Sequence, residues 1–350
     1  VNAVRCCVWE ITLACNLRCK HCGATAGRAR PDELTPAEAL HLADDVAALP
    51  TQEVTLMGGE LFLRSDWLAI AERLRANGVA LVIFTNGWLL DRERIAQIKV
   101  LSPRTVGLSL DGARAEVHDA QRGVAGSHER AWRALDALRE ASLPASVITT
   151  LTRSNLYELP ALARQLLARG IHWQVQVATC NGARMARSDQ LTPLEFYWAG
   201  AWLDLVRHKY DWPLLPVAGA HDLGYHSTRL GNLLPPGCTW NGCTAGLDTL
   251  GIQSHGGVKG CLSLPDDFVE GNVRERPIGD LWRDPDAFAL NRQFTLDKLR
   301  GFCATCPYGP ACRGGCSDLA HAATGSPYDN PYCFYRLEIE EEIRGPERNP

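Results

Sequence analysis

Three cysteines at C-x3-C-x2-C spacing, Cys15, Cys19 and Cys22, follow directly on the apolar run that ends at Thr12. Thiolate is a soft ligand suited to zinc or iron–sulfur clusters, and the number three is the informative part. A structural zinc site closes with four protein ligands, so a zinc knuckle here has to borrow a fourth such as His21. A four-iron cluster held by three cysteines instead leaves one iron open to a further ligand. In either case the backbone from Cys15 to Cys22 wraps a metal centre, and a rigid element must present that loop.

Fourteen cysteines in 350 residues is heavy usage. They cluster at short metal-type spacings, and no basic start followed by an apolar stretch marks an export signal. A disulfide framework is therefore the weaker reading, and a reducing, cytoplasmic setting the stronger. The chain opens on Val1 rather than Met, consistent with removal of an upstream segment. Acidic and basic residues are interleaved at a net charge of −4, which argues against a nucleic-acid partner. No apolar run approaches the roughly 20 residues of a membrane span.

Helix and strand signals alternate through the first two thirds. Strands are expected at 4–12, 53–57, 79–85, 105–110, 145–151 and 172–178. Helices are expected at 35–49, 66–76, 91–99, 128–141, 156–169 and 193–208, the first signalled by the Thr35-Pro36-x-Glu38 capping box. Six such units imply parallel strands with right-handed crossovers, short of the eight of a closed barrel. Near residue 212 the alternation stops and Gly, Pro and Cys take over. The chain divides on this reading into an α/β barrel at 1–211, a cysteine-rich domain at 212–337 and a charged tail at 338–350. The chemistry-bearing residues of the first part, Cys15–Cys22, Gly58-Gly59-Glu60, Asn86, Ser109 and Asp111, all fall at strand C-terminal ends, where ligands collect in such folds.

Together these motifs resemble the radical SAM enzymes, a resemblance that covers residues 4–335 and implies a partial (β/α)6 TIM-type barrel. It implies that a four-iron cluster on Cys15, Cys19 and Cys22 binds S-adenosylmethionine at its open iron. Gly58, Gly59 and Glu60 then receive the methionyl amine, and Asn86, Ser109, Asp111 and Arg122 supply further cofactor contacts. Arg122 is the natural bidentate carboxylate partner, with Arg130 or Arg133 as alternatives. Read without the resemblance, Gly-Gly and Asn-Gly are ordinary turns and Arg122 an ordinary surface arginine.

Downstream, Cys243-x12-Gly256-x4-Cys261, Cys303-x2-Cys306-x5-Cys312-x3-Cys316 and Cys333 match the SPASM pattern of the same enzymes, with Cys238 as an eighth thiol. The resemblance implies two auxiliary four-iron clusters: one on Cys238, Cys243, Cys261 and Cys316, the outer one on Cys303, Cys306, Cys312 and Cys333. That makes three [4Fe-4S] clusters and leaves Cys6, Cys7 and Cys180. Cys6 and Cys7 are adjacent on a strand and point to opposite faces, as buried small hydrophobes. Cys180 follows the sixth strand near the reactive rim, as a structural thiol or as a catalytic hydrogen-atom donor.

What the resemblance implies is a cytoplasmic enzyme that cleaves S-adenosylmethionine to a 5′-deoxyadenosyl radical and takes hydrogen from its substrate. The expected substrate is a precursor peptide, crosslinked, oxidised or epimerised during maturation of a ribosomally made natural product. The alternative is a small molecule, in a dehydrogenase or in haem or quinone-cofactor biosynthesis. The usual peptide-recognition domain is not visible, so a separate recognition protein or a trimmed N-terminus is expected. An electron donor such as flavodoxin or ferredoxin completes the partners.

Overall fold

The computed structural model describes residues 3–182 and 184–344. Its first part runs β1 (Cys6–Glu10), α1 (Pro36–Ala48), β2 (Glu53–Met57), α2 (Trp67–Ala76), β3 (Ala80–Thr85), α3 (Arg92–Leu101) and β4 (Thr105–Ser109). It continues with α4 (Ala115–Arg122), α5 (Ser127–Glu140), β5 (Ala145–Leu151), α6 (Leu159–Leu167), β6 (His172–Val177) and α7 (Pro193–Lys209). The cysteine-rich part adds β7 (Val217–Gly219), β8 (Thr249–Ile252), β9 (Gly257–Lys259) and β10 (Val269–Asn272). The capping box of α1 forms as the sequence signals, Thr35 and Glu38 each closing on the other's backbone N–H.

The ten strands make one sheet in the order β10-β9-β8-β1-β2-β3-β4-β5-β6-β7. The six expected strands lie side by side and parallel. Two extensions were not expected. β7 pairs in parallel with β6, and β8 pairs in parallel with β1, with Cys6 beside Thr249 and Val8 beside Gly251. The cysteine-rich segment thus continues the barrel sheet at both of its edges. Three- and four-residue strands containing glycine carry too little periodicity to be read from sequence.

Alternation sorts the strand residues. Cys7, Val54, Leu56, Leu81, Ile83, Val106, Leu108, Val147, Trp173 and Val175 join the apolar core with Leu42, Val46, Ile70, Leu74, Leu138 and Leu162 of the helices. The other face, the barrel lumen, receives Cys6, Val8, Glu10, Glu53, Thr55, Val82, Phe84, Ser109, Ile148, Thr150, Gln174 and Gln176, as the registers require. The opposite orientations expected of Cys6 and Cys7 are present.

The C-terminal helix Phe334–Arg344 starts earlier than the charged tail suggested and packs on α7. Glu338 is buried, accepting from Thr228 N at 2.7 Å, Thr228 Oγ1 at 2.8 Å and Tyr197 Oη at 3.2 Å. Residues 345–350 of that tail lie outside the described residues. Phe334 is buried and stacks on Phe196 of α7 with ring centroids 4.8 Å apart. Phe334→Ala should therefore cost about 3–5 kcal/mol, read as a lower denaturation midpoint with the slope unchanged.

Candidate active site

The cysteine loop between β1 and α1 is held from three sides. It closes on itself, Cys15 N donating to Gly27 O at 3.1 Å and Gly27 N to Leu13 O at 3.0 Å. On the second side Arg18 N and Lys20 N donate to the carbonyls of Arg122 and Gln121, at 3.0 and 2.9 Å. Those are carbonyls that the end of α4 leaves without an intrahelical partner. On the third, Gly59 N donates to Thr12 O at 2.8 Å and Glu60 N to Ala14 O at 2.7 Å. A Cβ on Gly58 would stand 2.4 Å from Thr12 O, and one on Gly59 2.3 Å from Ala14 O. The room left by the two missing side chains is thus filled by the loop backbone.

Each thiol of the triplet meets a donor. Leu17 N lies 3.4 Å from Cys15 Sγ, Ala26 N 3.3 Å from Cys22 Sγ, and Arg122 Nη1 3.7 Å from Cys19 Sγ. Burial pushes the Cys15 thiol up to about 11, with the neighbouring Cys19 and Cys22 thiols adding to the rise. Burial likewise raises Cys19, against the lowering by Arg122. Three neighbouring thiols, each with a donor in place, suit cluster ligation, and burial leaves Cys15 and Cys19 dependent on a metal to become thiolates at neutral pH. No group of three or more His, Cys, Asp or Glu among the described residues is gathered as for a single metal ion.

Beneath the triplet lies a buried charge network. Arg122 Nε stands 2.8 Å from Asp111 Oδ2, and His21 Nε2 stands 3.5 Å from the same oxygen. Asp111 is fully buried, its Oδ1 accepting from Thr150 N at 2.9 Å, and Arg122 is only 7% exposed. Burial drives the His21 imidazole down to about 4. Asp111 thus faces Arg122 rather than open space.

Glu60, 1% exposed, is reached by Thr85 Oγ1 at 2.8 Å, Asn86 N at 2.9 Å and Phe62 N at 3.4 Å. These are neutral donors, and burial pushes the carboxyl up to about 7. Asn86 reaches the loop directly, its Nδ2 donating to Asn16 Oδ1 at 2.9 Å. Ser109 sits half-buried at the end of β4.

The downstream cysteines gather into two sets. Burial raises Cys261 to about 11 and Cys316 well above the thiol range, and Cys243 adds to both by proximity. Cys303, Cys306 and Cys312 all contribute to the upward shift that burial starts at Cys333. Trp240 Nε1 donates to Cys312 Sγ at 3.3 Å. Cys238 is exposed, its carbonyl accepting from Asn232 Nδ2 at 2.6 Å.

The segment after β6 straps these parts together. Gly182 lies over Cys22, where a Cβ would clash with the Cys22 carbonyl, and Arg184 Nη2 donates to Thr25 O at 3.1 Å and Ala26 O at 2.6 Å. Thr179 Oγ1 donates to Asp318 Oδ2 at 3.1 Å, and Asn181 Nδ2 to Asp318 Oδ1, two residues beyond Cys316. Cys180, between them, turns its thiol to Ala186 O at 3.8 Å. Asp318, Arg184, Thr85 and Asn16 belong to no motif, and only the fold brings them here.

A barrel whose first loop offers three donor-backed thiols, followed by two further cysteine sets, defines an iron–sulfur enzyme. The family model described as the radical SAM superfamily matches residues 9–166, and the SPASM iron–sulfur cluster-binding domain matches residues 243–307. The chain belongs to the radical SAM superfamily. It is 32% identical over 351 residues to the AdoMet-dependent heme synthase of Methanosarcina barkeri, across 96% of this chain and 97% of that one. It is also 32% identical over 337 residues to the mycofactocin maturase MftC of Mycolicibacterium smegmatis, across 95% and 82%. In fold it is similar to Streptococcus suis SuiB, solved bound to precursor peptide SuiA, at a TM-score of 0.74 and 16% identity over 95% of this chain and 75% of that one. It is thus a radical SAM enzyme using [4Fe-4S] chemistry and S-adenosylmethionine. No helix among the described residues is long and apolar enough to cross a membrane.

Glu60 yields a pH signature. A carboxyl harder to ionise folded than unfolded contributes stability below its unfolded value of about 4.5, and loses it as pH rises through about 7. The metal-free chain should lose stability between about pH 5 and pH 8, and Glu60→Gln should lose less, by urea midpoint. An equal loss in both would rule out Glu60 as the cause. Gly59→Ala should displace the loop and lower its cluster occupancy, seen as reduced iron per chain after anaerobic reconstitution.

Proposed function

We propose that this enzyme modifies a peptide, and the lumen carries that reading. None of the strands β1 to β6 contains Lys or Arg. Toward the lumen the registers turn the uncharged Thr55, Ser109, Thr150, Gln174 and Gln176 and the acidic Glu10 and Glu53, with Gln176 Nε2 donating to Thr150 Oγ1 at 3.0 Å. A glutamine amide both donates and accepts, as a peptide backbone does. A porphyrin bearing several carboxylates calls instead for free cations. Lys259, which the register turns to the same face, is taken by Leu264 O at 2.6 Å and Asp266 Oδ1 at 3.0 Å. Arg30 is taken by Glu10 at 3.1 Å and Arg122 by Asp111.

In this reading Cys15, Cys19 and Cys22 hold the reactive cluster, and Glu60, Asn86 and Ser109 face S-adenosylmethionine. When bound, cluster and cofactor supply one-electron cleavage and hydrogen-atom abstraction. Glu60 offers a buried carboxylate lacking a cationic partner, which the methionyl ammonium would provide. Arg122 contacts Cys19, and Asp111 positions Arg122. Cys243, Cys261 and Cys316 with Cys238 hold one auxiliary cluster; Cys303, Cys306, Cys312 and Cys333 hold the other. Full protein ligation suits both to accepting the substrate electron. The lumen strands hold the substrate C–H near the radical and exclude water.

Reconstitution should give about 12 iron per chain, and changing Cys15, Cys19 and Cys22 together to Ala should leave about 8 while abolishing 5′-deoxyadenosine. Incubation with a short peptide encoded beside the gene should change that peptide's mass. Turnover of an iron porphyrin with no change in any such peptide would replace this reading with haem synthesis.

A further inference from the structure

Two aromatic side chains that belong to no motif stand between the downstream cysteine sets. Trp240 lies in the loop from Cys238 to Cys243, so the chain places it with the inner set. Its indole turns the other way. Nε1 donates to Cys312 Sγ, in the outer set, at 3.3 Å. Trp240 is buried, which shields that N–H from competing water.

Tyr225, just past β7, reaches both sets from one place. Its Oη accepts from the backbone N of Cys316, in the inner set, at 3.2 Å, and from Asn330 Nδ2 at 3.1 Å. Asn330 in turn serves the outer set. Burial pushes the Cys303 thiol up to about 11, and the Asn330 backbone N–H opposes that rise. The Tyr225 and Trp240 rings meet edge to face, with centroids 5.2 Å apart. Contact is therefore continuous from Cys316 through Tyr225 and Trp240 to Cys312.

The pair has little room to move. A Cβ on Gly315, between Cys312 and Cys316, would stand 2.9 Å from Tyr225 Cε1 and 2.7 Å from Asn330 Nδ2. One on Gly224 would stand 3.1 Å from Trp240 Cε3. Behind them Tyr225 packs against Phe196 of α7 and against Phe334, which ties the pair to the barrel. An N–H donated to a thiolate ligand stabilises the extra negative charge of a reduced cluster, and so raises its potential.

We propose that Trp240 is a positioning residue that holds the outer auxiliary cluster at a raised reduction potential, and that Tyr225 fixes it between the two cysteine sets. The proposal rests on reading those sets as ligands of two four-iron clusters. An electron passing outward leaves the inner cluster oxidised by one electron and the outer one reduced by one; no bond forms or breaks. Without the indole N–H the reduced outer cluster loses a stabilising donor, and the shared electron shifts toward the inner one.

The test is a redox titration of the reconstituted enzyme followed by electron paramagnetic resonance, with the Cys15, Cys19 and Cys22 triple Ala variant alongside to assign the auxiliary signals. Trp240→Phe keeps a ring and removes the donor, whereas Trp240→Leu removes both. Each should lower one auxiliary midpoint by about tenfold in the equilibrium constant, about 59 mV for one electron. The other midpoints should stay within about twofold, with iron still about 12 per chain. Tyr225→Leu, which frees the indole, should lower the same midpoint by less. Wild type grown on tryptophan carrying heavy nitrogen in the indole should show a hyperfine coupling from that nitrogen to the reduced outer cluster, which decides the question without a variant if Trp240→Phe loses iron. A midpoint lowered by Trp240→Leu but not by Trp240→Phe would give the effect to the ring and overturn the donor role. So would equal shifts of both auxiliary midpoints, or labelled wild type without the coupling. A Tyr225→Leu midpoint like that of wild type would overturn the part given to Tyr225. Wild type holding about 8 iron or fewer would instead overturn the two-cluster reading itself, and iron content shows this before any titration.

Discussion

A guanidinium cannot be buried without a partner, and the mouth of this barrel is arranged around one that is. Arg122 ends α4 with its side chain enclosed, and the carboxylate that answers it belongs to Asp111, just past β4. Desolvating both charges is tolerable only because each is matched and further hydrogen-bonded. The same arginine reaches Cys19 through Nη1 and accepts Arg18 N through its carbonyl. One residue therefore ties a strand end, a helix end and the cysteine loop into one body. Removing its charge would strand Asp111 among neutral groups and His21, which burial holds neutral.

The second constraint is the sheet. A partial barrel has two edges with unpaired backbone groups, and such edges must be covered. Here the cysteine-rich segment covers them itself, by β7 on one side and the β8–β9 hairpin on the other. The cysteine-bearing loops thereby inherit the rigidity of the barrel. Cys243 precedes β8 and Cys261 follows β9, while Asp318, beside Cys316, is gripped by Thr179 and Asn181 of the strap. That strap also packs on Cys22 through Gly182. The Cys15–Cys22 loop and the Cys316 region are thus joined through one short segment of backbone.

Much of this was open to reading in advance. The six parallel strands and the helices between them followed from hydrophobic period, length and caps, because each buries a full apolar face. Helix α4 was not foreseen, and its composition explains why. Its buried residues are His118, Gln121 and Arg122, so it has no apolar stripe and is held by polar partners supplied from elsewhere. The flanking strands β7 to β10 escaped for a related reason, being short and stabilised by the edges they join. At the site, the glycines of Gly58-Gly59-Glu60 proved to accommodate the loop backbone.

Sequence alone determined the family and the placing of the chemistry-bearing residues at the strand ends of the barrel, since motif spacing and strand ends are local properties. Tertiary structure alone decided which side chains meet: Arg122 with Asp111 and Cys19, Asn86 with Asn16, Arg184 with the loop carbonyls, and Asp318 with the strap. Those pairs are separated by up to 159 residues. No periodicity links such positions; only the closing of the sheet brings their charges and hydrogen bonds within reach.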